Sequence, residues 1–167
     1  CDIRQNRASQ MGGGVMLNLG GLLRNSTIYS NGSAWGGGVL CGNGASIRSC
    51  LIEGNSATGS SGGGVYVDTS GWVDNNTLVR NKAAASGGGI YCLGGGTIQN
   101  CVIVSNAAPS GPNWATNGGG AFAYSCAVPL VGGTGNMAVN PEFVSYTGGN
   151  YRILFPSPCW ETGAGLG

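Results

Sequence analysis

Short apolar alternations recur along the chain at a nearly constant spacing. Val15/Leu17, Val39/Cys41, Val65/Val67 and Ile90/Cys92 each follow a glycine triplet, with Met16, Leu40, Tyr66 and Tyr91 between their members. Successive side chains of a β-strand point to opposite faces, so the first set is expected inward and the second outward. Further apolar columns follow at Leu23, Ile47, Val73 and Ile98, and at Ile28, Ile52, Leu78 and Ile103. Runs this short, bounded by Gly, Asn and Ser, cannot each close a core, but stacked copies can.

Two more markers keep the same step. Glycine triplets begin at Gly12, Gly36, Gly62, Gly87 and Gly118, and an Asn closes each copy at Asn6, Asn31, Asn55, Asn81 and Asn106. The prediction is an all-β chain: a single-stranded parallel β-helix of about 25 residues per coil. Five coils are expected over residues 1–131, with a C-terminal cap and tail over 132–167. The Asn column would stack at one corner, Asn25, Ser49, Asn75 and Asn100 at another, and the triplets would supply positive φ at a third.

The pairing of Gly-Gly-Gly-(Val/Ile) with (Ile/Leu)-x-x-Asn resembles the repeats of the chlamydial polymorphic outer-membrane protein family. More broadly it resembles the right-handed parallel β-helix repeat proteins of bacterial surfaces, and right-handedness is implied by that resemblance. Val139-Asn140-Pro141-Glu142-Phe143, Asn150-Tyr151-Arg152-Ile153 and Pro156-Ser157-Pro158-Cys159 are similar to the closing segment of such proteins. The run Cys159-Trp160-Glu161-Thr162-Gly163 departs from the usual ending. The resemblance is specific for fold and weak for function.

Composition narrows the classes. Gly makes up 35 of 167 residues, which without the repeat would read as disorder. Charged residues are 8 % and the net charge is +1, so nothing draws the chain to nucleic acid or an anionic membrane. No apolar run approaches the roughly 18 residues of a membrane-spanning helix. Of seven cysteines, Cys41 and Cys50 share one coil and Cys92 and Cys101 another, whereas coils lacking the first member also lack the second. This covariation predicts disulfides Cys41–Cys50 and Cys92–Cys101, with Cys126–Cys159 as a third bridge tying the last coil to the cap. Disulfides in this number place the protein in an extracellular or cell-surface setting. Cys1 falls in the column of Cys50 and Cys101. Three readings stay open for it: a piece of a longer β-helix, a contact with another subunit, or a lipidated first residue.

Residues 107–117 contain two prolines and Trp114, and are expected to form an exposed loop before the fifth coil. Phe143, Tyr151, Ile153 and Phe155 are expected to cover the last coil, with Thr162–Gly167 as a tail. The six acids, Asp2, Glu53, Asp68, Asp74, Glu142 and Glu161, never occupy one column in adjacent coils, and there is no His. Clustered acids for a metal or for acid–base work are therefore not expected, and neither is an enzyme nor a cofactor. Arg24, Arg48 and Asp74 read as an outward ladder with one surface ion pair. A Thr-rich ice-binding ladder fails, because Asp2, Thr27, Leu51, Thr77 and Val102 mix Thr with apolar residues. The expected contact surface is an outward ladder of Met16, Leu40, Tyr66, Tyr91 and Phe122, joined by Trp114 on its loop. The function expected is structural or adhesive, by self-association through coil ends or on a host surface. The alternative is a carbohydrate-binding or polysaccharide-degrading β-helix.

Overall fold

The computed structural model describes residues 1–163 and is an all-β parallel solenoid without a helix among them. Residues 164–167, the end of the expected tail, lie outside the described residues. Each repeat contributes three main strands, and equivalent strands of successive repeats pair in parallel. The first sheet comprises Val15–Leu17, Val39–Gly42, Val65–Asp68, Ile90–Leu93 and Trp114–Asn117. The second comprises Leu22–Arg24, Ser46–Arg48, Trp72–Asp74, Thr97–Gln99 and Ala121–Ala123. The third has six strands: Asp2–Arg4, Thr27–Tyr29, Leu51–Glu53, Thr77–Val79, Val102–Val104 and Cys126–Ala127. Short pairings of Gly32–Ser33, Ser56–Ala57 and Lys82–Ala83 make a fourth wall from segments that read as mere connections.

The register is the one the apolar columns require. Val39 pairs with Val65 and Val65 with Ile90, Ile47 with Val73, and Ile52 with Leu78. Their side chains meet along the axis, and Ile28, Ile47, Ile52, Leu78, Ile98 and Ile103 are fully buried. The core is thus one apolar column bounded by three sheets.

Two sequence features hold the corners. Asn55 Nδ2 donates to Asn81 Oδ1 at 3.0 Å and to Ile28 O at 2.9 Å, while Asn55 Oδ1 accepts from Asn31 N and Asn31 Nδ2 at 2.9 and 3.0 Å. Each buried amide therefore ties its coil to both neighbours, and Asn31, Asn81 and Asn106 repeat the arrangement. The triplets answer a second constraint. In the triplets that begin at Gly12, Gly36, Gly62 and Gly87 only the first glycine has positive φ, +72° at Gly62. A Cβ on Gly63 would lie 2.4 Å from Gly88 O, and one on Gly64 2.9 Å from Asn81 Nδ2. The second and third glycines are thus demanded by the next coil and by the Asn ladder, not by φ.

The fifth coil differs from expectation. It starts at Gly111, not Gly118. Trp114 pairs with Ile90, and Gly111 has the positive φ of a first triplet glycine, +55°. The expected loop 107–117 is therefore part of the solenoid. Gly118–Gly120 instead stacks on Gly94–Gly96 at the corner between the first and second sheets, where Gly94 N donates to Asn117 O. Pro112 and Asn113 are tolerated in the crowded triplet sites because no full coil follows to clash with them. Asn113 Oδ1 accepts from Asn106 N and Nδ2 at 2.9 and 3.0 Å, so it supplies the last rung of the ladder.

Replacing Asn81 by Ala removes two donated bonds and leaves Asn55 N without its buried acceptor. Asn81→Ala is expected to lower unfolding stability by about 3 kcal/mol or more in a denaturant titration. A loss under about 1 kcal/mol would mean that the ladder is incidental.

Candidate functional site

After Cys126–Ala127 the chain does not cap the coil end as a plug. Val131 enters the core, and Met137 bridges to Cys126. The segment from Met137 to Gly163 then runs back along the outer face of the third sheet as a strap. It lands on the outward residues Leu51, Val79, Val102 and Val104, packing Val139, Phe143 and Tyr151 on them. Tyr151 is buried there, but Phe155 is 80 % exposed, so the expected cover of the last coil by Phe155 does not form.

The strap is latched by a polar cluster. Ser145 and Asn150 close a small antiparallel turn, with Ser145 N donating to Asn150 O and Asn150 N to Ser145 O. The turn places Tyr146 and Tyr151 beside Arg80 and Glu53. The Tyr151 hydroxyl donates to Glu53 Oε1, and the Arg80 guanidinium lies 3.2 Å from the same oxygen. Arg80 also donates to Tyr146 O at 2.6 Å and stacks 4.5 Å from the Tyr146 ring centre. Burial, then the hydrogen bond to Glu53, pushes the Tyr151 phenol well above its ordinary range, so it stays a donor. Glu53–Arg80 is the one ion pair among the described residues. The pair expected at Arg48 and Asp74 is absent: Arg48 lies over the Trp72 ring at 5.6 Å, and Asp74 accepts from Asn100 Nδ2 at 2.9 Å.

Two grooves flank the strap. One, of about 610 Å³, is lined by Val104, Asn113, Val128, Glu142, Phe143 and Tyr146. The other, of about 360 Å³, opens on Asn76, Cys101, Cys126, Met137 and Cys159.

The expected outward ladder is largely not a surface. Leu40 and Tyr66 are buried, at 2 % and 8 % exposure. The first triplet glycines lie over the column: a Cβ on Gly62 would be 2.9 Å from Tyr66 Cβ. Tyr91 stacks on Tyr66 at 5.4 Å and is half-buried, leaving Met16 as the exposed member. Phe122 does not belong to the ladder. It pairs with Ile98, sits in the core and meets the half-buried Trp114 at 5.8 Å, while Ala115 takes the outward rung.

All seven cysteines are free thiols, so none of the three expected disulfides is present. The reason is plain at the corner column. Cys50 Sγ donates to Arg48 O at 3.2 Å and Cys101 Sγ to Gln99 O at 3.0 Å. Ser26, Asn76 and Ser125 make the same bond two residues back, at 2.8, 2.9 and 2.9 Å. The position asks for a small donor, and Cys serves as one. Cys41 Sγ turns to Ala45 O at 3.5 Å. Burial pushes the Cys41 thiol up to about 11 and Cys92 and Cys101 up to about 12. Cys1 is exposed, its ammonium 3.3 Å from Asn25 O. Cys126 and Cys159 line one groove, where Cys126 Sγ donates to Val139 O at 3.3 Å and Cys159 Sγ to Met137 Sδ at 3.7 Å.

The landing face was open to sequence reasoning through one signal: outward Leu51, Val79, Val102 and Val104 are apolar where an exposed face would be polar. Tyr151→Phe removes the donor to Glu53. Exchange of the Val144 and Ser145 amides is expected to quicken about tenfold, the effect of a hydrogen bond worth roughly 1.4 kcal/mol. The Asn55 amide, in the core ladder, should keep its rate, and equal acceleration at both places would refute a local latch.

Residues 1–108 match the family described as a right handed beta helix region. No curated protein and no solved structure matches significantly. The matched stretch covers the four coils before Gly111 and carries the Asn ladder through Asn106. The parallel solenoid is therefore right-handed, and the chain belongs to the right-handed β-helix family.

Proposed function

We propose that this chain is a non-catalytic structural and adhesive segment, a stiff β-helical rod that binds through its surface. The observation that carries this reading is the use of its polar side chains. The corner Asn amides are buried in coil-to-coil bonds, and Glu53 and Arg80 latch the strap. The repeat invests its hydrogen-bonding capacity in rigidity along the axis. The outer edges of Asp2–Arg4, Val15–Leu17 and Leu22–Arg24 are open to pairing with a further parallel coil, from a second copy or from the same polypeptide. The extracellular setting rests on the resemblance to surface repeat proteins, because free thiols withdraw the support that disulfides would lend. Negative-stain electron microscopy of the purified chain is expected to show end-to-end filaments. Single compact particles at all concentrations would overturn self-assembly.

A second reading, carbohydrate binding, is favoured by the larger groove. Phe143 and Tyr146 offer ring faces beside the Asn140 amide, the combination that packs a sugar ring and bonds its hydroxyls. Glu142 is the one carboxylate in that lining, which favours binding over two-carboxylate hydrolysis. A glycan array is expected to show binding that falls at least tenfold on Phe143→Ala. Binding that survives this change would move the contact elsewhere.

A further inference from the structure

Three sulfur atoms converge where the strap leaves and rejoins the last coil. Cys126 is the final outward residue of the third sheet. Met137 occupies the next rung above it: Met137 N donates to Ser125 O, and Ala127 N donates to Met137 O, both at 2.9 Å. The two side chains therefore leave the same face, about 4.8 Å apart at their backbones. The returning strap brings Cys159 against both. Its Sγ donates to Met137 Sδ at 3.7 Å, and it shares one apolar cluster and one groove with Cys126, whose own Sγ donates to Val139 O at 3.3 Å. Cys159 is held there by the buried Ser157, whose Oγ donates to Pro141 O at 2.7 Å and accepts from Cys159 N at 3.1 Å.

We propose that Cys126, Met137 and Cys159 form a binding site for a soft monovalent metal ion, Cu(I). Thiolate and thioether donors together select soft ions, and a thioether in the set disfavours zinc, which takes thiolate, imidazole or carboxylate. The spacing fits. With metal–sulfur bonds of about 2.3 Å, sulfurs arranged trigonally around one ion lie about 4 Å apart, close to the 3.7 Å between Met137 and Cys159. Relative to the protonated pair, binding exchanges two thiol protons for one Cu(I), forms two copper–thiolate bonds and one copper–thioether bond, and leaves a single negative charge. No change of oxidation state is needed.

The surroundings suit a cation. The 360 Å³ groove leads to all three sulfurs, and its lining carries the Asp74 and Glu161 carboxylates but no Lys or Arg. The other thiols do not compete as a cluster. Cys41, Cys50 and Cys92 are buried in the core column, Cys101 borders the groove but its buried Sγ turns to Gln99 O and Val73 O at 3.0 and 3.5 Å, and Cys1 is exposed. This site is independent of the adhesive reading, since it lies behind the strap and not on the groove of Phe143 and Tyr146.

The test is a Cu(I) titration under anaerobic conditions against a chromophoric Cu(I) chelator, in a Cys1→Ser background. One equivalent of Cu(I) is expected, with a new near-ultraviolet sulfur-to-copper absorption and a raised Tm. Cys159→Ser should weaken binding at least a hundredfold. Met137→Leu, which keeps the packing, should weaken it about tenfold while the fold stays intact by circular dichroism. Unchanged affinity in Met137→Leu and Cys159→Ser would overturn the site. So would a native mass showing Cys126 and Cys159 joined in a disulfide, because no thiolates would then remain for the metal.

Discussion

A parallel solenoid must satisfy buried polar groups at every corner where its chain turns inward, and here one amide per coil does so. Each Asn of the ladder donates to the coil before it and to the coil after it, and accepts the backbone N–H and side-chain N–H of its predecessor. No buried side-chain nitrogen or oxygen among the described residues lacks a partner. The glycine triplet follows from this. Gly64 must lack a side chain because the Asn81 amide occupies that volume. A buried unsatisfied donor costs about as much as several apolar contacts return, so the corner amide and its glycine are fixed together.

The same constraint explains which parts of the fold were legible. Position, period and inward column all follow from neighbours one coil away, and a residue repeated every 25 or so positions reports those neighbours directly. The apolar columns and the Asn corner were readable for that reason. The misreading at Gly118 came from two kinds of glycine triplet that look alike in one dimension. One is forced by an overlying coil and the Asn ladder, the other by a corner of positive φ. Gly111 kept the period from Gly87, but Pro112 and Asn113 hid it. The cysteines misled for a related reason. Their covariation was real, but the column that holds Cys50 and Cys101 also accepts Ser and Asn, and a shared hydrogen bond accounts for a Cys at that position without a bridge.

The strap was not legible, because it repeats nothing. Its residues answer to a surface assembled from several coils, so its partners are scattered through the chain. Tyr151 meets Glu53, Tyr146 meets Arg80, and Cys159 meets Met137. Such contacts leave no period. What they leave is an anomaly on the receiving side, the apolar outer positions of the third sheet. Both grooves arise where this aperiodic segment meets the periodic one.

The latch at Glu53 turns the strap into a ruler. Duplication and loss of single repeats is the natural way for a solenoid to change length, and every coil here is stitched to its neighbours by the same bonds. Yet a coil gained between Arg80 and Cys126 would carry Glu53 about 4.8 Å further from Tyr151, and two would part them altogether. A coil gained before Glu53 would disturb nothing in the strap. Growth by repeat duplication is therefore free in the upstream part and counted in the downstream part, so the lineage can lengthen its rod while the end that carries the grooves is inherited as a unit.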